Sequence, residues 1–451
     1  MSPARPDPRH AGRTGDPVEL TRALVRVPSV NPQLSPDGTG EAEAIGLCAD
    51  WLTDWGFQTE VLKTEPGRPS LVARIGDGAP RTLLCGHLDT VGTEGMEVDP
   101  FDPVIRDGRI FGRGSCDMKS GVAAILAVGR AIARKPDGFP GTLIIALTSD
   151  EEHASIGLLD LLEHGLTADR AVVTEPTSLA LCPANRGFVW ANLTFRGRAA
   201  HGSRPELGRD AIRSAGYVLA ALDGYEAEMR RRASHPLLGG ASIHAGTIQG
   251  GTTPSIYPAE CTLVLEARTL PGEGPDLVTA AVRRMVERAG ERDPDQDVTV
   301  QTGLSRPGAE IAADHPLVQS LSRACRDEGL EPRLAGMSAW VESAFLIEAG
   351  IPALCFGPGA LEDAHTSTES VSIEEIRQAT RILERWVRSA GSAEPTGSAE
   401  STGSAESTGF AESTGFAEST GPADSTGSAE SVGSAEASEA DPELPSRQGD
   451  G

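Results

Sequence analysis

The chain has 451 residues, with 65 acidic against 40 basic side chains and a formal charge of −25. That balance argues against nucleic acid or an anionic membrane as the main partner, since both demand local positive potential. The length suits two or three domains with a large buried core.

Seven cysteines are scattered singly with no C-x-x-C pair, which fits free thiols in a reducing compartment better than a disulfide framework. The first 16 residues lack an apolar h-region, and no apolar run reaches the roughly 18 residues of a membrane helix. A soluble, cytoplasmic protein is expected.

In chain order, helical spacing predicts Pro17–Val27 and Ala42–Trp55, then a buried strand at Thr82–Cys85 and a helix at Ser120–Arg134. A strand at Thr142–Leu147, a helix at Gly157–His164 and a strand at Ala171–Thr174 follow. The middle changes character. Phe188–Gly197 alternates as a strand, Gly208–Arg232 reads as a helix, and Ala241–Gly246 and Cys261–Arg268 read as strands. Asp276–Ala289 is a second helix and Val298–Gln301 a last strand, giving a βαββαβ order that matches a ferredoxin-like split unit. Beyond it come a helix at His315–Glu328 and a strand at Ala353–Phe356.

This order predicts an α/β fold: a three-layer α/β/α domain around a largely parallel sheet, formed by residues 17–187 and 302–390. The α+β unit at 188–301 is inserted into it. Residues 1–16 are expected to be disordered. From Glu394 a six-residue unit of the type ESTGSA repeats, and residues 391–451 carry 12 acids against Arg447 alone. Such a segment cannot bury enough apolar surface to order itself. It reads as a disordered, solvating acidic tail, or as a docking segment anchored by Phe410 and Phe416.

Some apparent motifs carry nothing. Gly114 to Ser120 resembles a phosphate loop, but Met118 stands where a glycine is needed before Lys119. Neither H-E-x-x-H nor G-x-S-x-G occurs. What remains is a set of histidines and carboxylates at strand ends. LLCGHLDTVG brings His87 and Asp89 two residues apart, a spacing at which one can bind a metal while the other orients it. FGRGSCDMKSG puts Asp117 in a Gly-rich turn before a helix, where the alternative is an N-cap. LTSDEEHASIG ends a buried strand in Asp150, Glu151 and Glu152, adjacent acids that repel unless cations compensate. AVVTEPTS ends in Glu175, and LCFGPGALEDAHTST delivers His365. All five obey the rule that α/β sheets bind ligands outside the carboxyl ends of their strands.

The combination H-x-D, G-R-G-x-x-D-M-K-x-G, D-E-E, E-P-T and a late G-P-G…H resembles the dinuclear zinc hydrolases of the acetylornithine deacetylase, succinyl-diaminopimelate desuccinylase, aminoacylase and glutamate carboxypeptidase family. The resemblance spans residues 17 to 390. It implies that 188–301 is a lid and dimerisation domain. It implies one metal on His87, Asp117 and Glu175, and a second on Asp117, Glu152 and His365. Glu151 would be the general base, Asp89 would buttress His87, and His201 in the lid would stabilise the oxyanion across a homodimer interface. Arg268 would bind a substrate carboxylate, a plain strand-end arginine being the alternative. The ions would be two divalent cations, Zn2+ before Co2+ or Mn2+, sharing a bridging hydroxide. The substrate would be a small N-acylated amino acid or peptide. A dipeptidase, a glutamate-carboxypeptidase-type exopeptidase and a catalytically silent binding protein on the same fold are the alternatives. Two places depart from the family pattern: Ser255 stands where Asn is usual, and Trp340-Val341-Glu342-Ser343 stands where the deacetylases have W-T-D-A.

Overall fold

Strands with no polar face must be covered on both sides. The computed structural model describes residues 9–389 apart from Pro66, residues 137–138 and Ala233; the repeat tail, with Phe410 and Phe416, lies outside them. The chain begins with α1 (Arg9–Thr14), α2 (Pro17–Val25), α3 (Ala42–Asp54), β1 (Gln58–Glu65), β2 (Arg68–Asp77) and β3 (Arg81–His87). A short pair, β4 (Val104–Arg106) and β5 (Arg109–Phe111), precedes α4 (Ser120–Arg134), β6 (Gly141–Thr148), α5 (Ile156–Glu163), β7 (Arg170–Val173) and β8 (Leu181–Asn185). The middle supplies β9 (Gly187–Arg196), α6 (Ala211–Met229), β10 (Ser242–Gly250), β11 (Glu260–Thr269), α7 (Pro275–Gly290) and β12 (Asp297–Arg306). Last come β13 (Ala309–Glu310), α8 (Pro316–Asp327), β14 (Leu334–Met337), α9 (Ser343–Glu348), β15 (Ala353–Cys355), β16 (Ser370–Ser372) and α10 (Ile373–Arg388).

The large sheet runs β1-β2-β6-β3-β7-β15-β8-β13, with β14 also paired to β8. Its centre, β6-β3-β7-β15, is parallel. Its flanking pairs are antiparallel, apart from β14 with β8, so the expected largely parallel sheet is mixed. The difference begins with β1 and β2, which follow each other too closely for a crossover helix and pair as a hairpin. Alternation along β3 divides two cores. Leu84 joins Leu24, Leu52, Leu126 and Trp386 on one face, while Leu83 and Cys85 join Leu158, Phe345 and Leu346 on the other. Helices therefore cover both faces.

Residues 9–14, expected to be disordered, form α1: Ala11 is buried and the Trp55 indole donates to Gly12 O at 3.0 Å. Asp16 then caps α2 through the N–H groups of Val18 and Glu19. The P-loop look-alike lysine is structural. Lys119 is fully buried and donates to Leu24 O and Val27 O at 3.1 and 2.8 Å, closing the end of α2. Its burial pushes the amine down to about 7.

The middle segment folds as its βαββαβ pattern predicts, an antiparallel sheet ordered β10-β11-β9-β12. Val189, Ala191, Leu193 and Phe195 on β9 pack under α6 and α7 in a core of their own. The two chain crossings into this unit meet backbone to backbone at Gly187, where a Cβ would lie 2.3 Å from Gly308 N.

The carboxyl ends of β3, β6, β7 and β15 share one edge of the sheet, and α4 starts beside it. Gly121, in the first turn of α4, lets the helix press against β7: a Cβ there would sit 2.1 Å from Thr174 O. Gly121→Ala should therefore cost about 1–3 kcal/mol of stability by overpacking, read from urea denaturation. A midpoint at or above the parent's would contradict this contact.

Candidate active site

His87 ends β3 almost fully buried, with Nε2 3.2 Å from Asp117 Oδ1, 3.9 Å from Glu151 Oε2 and 4.0 Å from Glu175 Oε1. The second oxygen of Asp117 lies 3.3 Å from His365 Nε2, which is 3.1 Å from Glu152 Oε1. Asp117 thus stands between two imidazoles. Ligand atoms of His87, Asp117 and Glu152 all fall within 4.8 Å of one another. His365 is the exposed member, so the cluster opens to solvent on its side.

Each loop is fastened by groups outside the cluster. Glu369, wholly buried, accepts from the N–H groups of Gly114, Cys116 and Asp117 and pairs with Arg113 at 2.6 Å. This seats the Asp117 turn, and Asp117 does not cap α4, whose start has no side-chain cap. Asp89 lies 3.5 Å from His87 Nδ1, while its own carbonyl is nearer that nitrogen, at 3.1 Å. The Asp89 carboxylate also accepts from the N–H groups of Glu151 and Glu152 at 3.0 and 3.1 Å. It therefore holds the turn carrying Glu151 and Glu152 as well as the imidazole.

The adjacent acids of that turn separate. Asp150 takes a left-handed backbone (φ 66) and turns away to Arg68 at 2.9 Å. Arginine, rather than an external cation, neutralises it, leaving only Glu151 and Glu152 to face the cluster. Asn31, Glu41, Arg68 and Glu369 support the site without any local sequence signal.

The electrostatics follow from burial and from the crowding of acids. Burial, reinforced by neighbouring acids, pushes Glu151 and Glu175 well above the usual carboxylate range. Burial opposes the charged form of both histidines, but carboxylate hydrogen bonds outweigh it, lifting His87 well above 6.5 and His365 to about 10. Burial also works against ionised Asp117, yet His365 and His87 hold it far below its usual value. Glu175 Oε1 is a buried acceptor with no hydrogen-bond partner, and two imidazoles with three carboxylates make a hard N/O donor set. The residues present fit a pair of divalent ions.

The two candidate residues of the inserted unit stand apart. His201 is exposed, and its Nδ1 bonds within its own loop to Ser203, beside a cleft of about 600 Å³ lined by Gly202, Asp210, Ile212, Thr253 and Tyr257. Arg268 is held by Glu266 at 2.5 Å and stacks 5.7 Å from the Phe188 ring. Neither is brought into the cluster by the contacts it makes.

Glu342 lies beneath the strand ends, fully buried. Thr148 Oγ1 donates to its Oε2 at 2.8 Å, Oε1 has no partner, and burial pushes the acid up to about 7. The folded state thus keeps a proton that the unfolded chain releases, a contribution complete below the ordinary value of 4.5 and lost as pH rises through 7. In metal-free buffer, Glu342→Gln should lose about 3 kcal/mol less stability than the parent between roughly pH 4.5 and 8. Equal losses in chemical denaturation at the two pH values would refute this.

Comparison with known proteins agrees with the geometry. Residues 83–389 match the model of peptidase family M20/M25/M40. An acetylornithine deacetylase of Vibrio cholerae serotype O1 is 28% identical over 373 residues, covering 82% of this chain and 97% of that protein. One from Myxococcus xanthus is 30% identical over 353 residues, covering 76% and 88%. The crystal structure of the aminopeptidase PepT from Bacillus cereus superposes with a TM-score of 0.68 at 22% identity, over 83% of this chain and 98% of that one. The chain belongs to peptidase family M20/M25/M40 and is a metal-dependent hydrolase of amide bonds.

Proposed function

We propose that the protein is a two-metal amidohydrolase that removes the acyl group from a small N-acylated amino acid, as an acetylornithine deacetylase does. The observation that carries this reading is the Asp117 carboxylate between His87 and His365, with Glu151 beside it. His87, Asp117 and Glu175 would hold one ion, and Asp117, Glu152 and His365 the other. Zn2+ suits the donors best, with Co2+ or Mn2+ able to replace it. Bound there, the ions supply Lewis-acid polarisation of the scissile carbonyl and acidify water.

The chain's own groups do the rest. Glu151 sits where burial and neighbouring acids raise its proton affinity, as suits a carboxylate that takes a proton from water and returns it to the leaving amine nitrogen. Asp89 orients His87 and fixes the main chain of Glu151. Residues 188–301 act as a lid and pair two copies into a homodimer. His201 supports that arrangement, since its side chain is exposed and bonds to Ser203 in its own loop, free to reach a neighbour's site and stabilise the oxyanion. Arg268 takes a substrate carboxylate by exchanging its Glu266 partner. Seven unpaired, buried thiols support a cytoplasmic setting, and no described helix is long and apolar enough to cross a membrane.

A survey of N-acetyl amino acids and dipeptides with Zn2+- or Co2+-loaded protein tests the reading. Turnover should favour the N-acetyl amino acids, and Glu151→Gln should bind the same metal while losing about 100- to 10,000-fold in kcat. Hydrolysis of no member, or an undiminished variant, would sink it. Sedimentation should show a dimer, and His201→Ala should lower kcat without changing the sedimentation coefficient. A monomer at every concentration would remove the role given to His201.

A further inference from the structure

Asn31 carries no charge and no ligand, yet it is wholly buried beside the site. Its Nδ2 donates to Asp89 Oδ2 at 2.8 Å and to Asp150 Oδ1 at 3.0 Å, and its Oδ1 accepts from Gln33 N–H at 3.0 Å. This fixes the amide orientation, because the flipped amide would set an oxygen between two carboxylates and an NH2 against an N–H. Its backbone is fixed as well. Asn31 N donates to Thr90 O at 2.8 Å, and Val30 bridges Thr90, so this segment runs alongside the His87–Asp89 arm.

Asp150 is gripped from the other side. Arg68 binds it at 2.9 Å while forking onto Glu41 at 2.7 and 2.8 Å, and Glu41 accepts the N–H of Asp150 at 3.2 Å. The result is a buried chain, Glu41–Arg68–Asp150–Asn31–Asp89, ending on the N–H groups of Glu151 and Glu152. The link between Asp150 and Asp89 joins two acids, so like charges would separate them. One NH2 group, with two hydrogens and no charge, satisfies both. Aspartate there donates nothing, and an aliphatic side chain leaves each acid short of a donor in a dry site.

We infer that Asn31 is a positioning residue that sets the distance between the His87–Asp89 arm and the turn carrying Glu151 and Glu152, an inference that rests on the two-metal hydrolase reading above. It acts through Asp89 and Asp150 and touches neither substrate nor ion. Loosening it frees that turn, so the ion that Glu152 helps to hold should suffer more than the ion held by His87, Asp117 and Glu175.

The test uses the full chain with Asn31→Ala and Asn31→Asp, each titrated with Co2+ and followed by its visible absorption. In Asn31→Ala the weaker of two Co2+ sites should lose about 10- to 100-fold in affinity, with a kcat loss of similar size. KM should stay within about threefold, because the substrate contacts are intact. Asn31→Asp should lose more, and if it does not fold, Asn31→Ala decides alone. A variant that melts earlier but keeps the parent's Co2+ isotherm and kcat overturns the positioning role. Two Co2+ ions bound by a parent that hydrolyses nothing would end the hydrolase reading, while the isotherm still decides the role of Asn31. A parent that binds no Co2+ would end both.

Discussion

Burying many carboxylates at one edge of a sheet is the constraint on which the rest of the site depends. Removing a carboxylate from water is costly unless donors or cations replace the lost hydration. The protein divides its acids accordingly. Glu41, Asp89, Asp150 and Glu369 each receive arginine, asparagine or backbone donors and are thereby finished as structural parts. Glu151, Glu152 and Glu175 are instead gathered among other acids and two imidazoles, with few donors of their own. A carboxylate given its donors stabilises the fold. Glu342, buried with Oε1 unpartnered, shows that a missing donor alone does not set an acid apart; Glu151, Glu152 and Glu175 are distinguished by gathering around His87 and His365.

The topology explains why these residues can meet at all. Parallel strands end at the same edge, so β3, β6, β7 and β15 deliver side chains from distant parts of the sequence to one place. The antiparallel flanks widen the sheet and bury its centre. Nothing in the cluster comes from a flexible tip: the Asp117 turn is seated on Glu369, the Glu151 turn on Asp89, and Arg109 clamps the His365 loop through Asp363 at 2.5 Å.

Much of this was legible in the sequence because buried parallel strands are short, continuous apolar runs and the residues that gather in the cluster follow them directly. His87, Glu175 and the Asp-Glu-Glu turn are of that kind. The edge strand β1, with Gln58, Glu60 and Lys63, carries no such run, and α10 mixes Glu and Arg so evenly with its apolar stripe that its role emerges only when Leu383 and Trp386 are seen in the core. The supporting residues were silent for another reason. Asn31 meets Asp150 across 119 positions and Glu369 meets Asp117 across 252. No local pattern encodes a partner that far away. The adjacent acids misled for the converse reason, since the left-handed turn at Asp150 sends neighbouring side chains to different partners.

The residues of the inserted unit follow a different logic. The cluster is complete within one sheet, whereas His201 and Arg268 sit on a unit with its own core, joined through the crossing at Gly187 and Gly308. Arg306 spans that junction: it ends β12, donates to Ala154 O at 2.5 Å on the Glu151 turn, and lies 5.4 Å from the Phe345 ring. Arg306 thereby ties the four-stranded unit to the turn that carries Glu151 and Glu152. Rigid strand ends suit the ions, which tolerate little change in donor spacing. Substrate selection tolerates, and under the proposed reading requires, a unit that moves. Val341 and Glu342 stand where these two demands meet, beside α9 and beneath the strand ends. A carboxylate there is longer than the aspartate of the deacetylase pattern, and the adjacent hydroxyl is gone. Under the proposed reading, that pair of changes bears on selectivity rather than on the cluster, since Glu342 bonds to Thr148 and Cys85 and not to His87, Asp117 or Glu175.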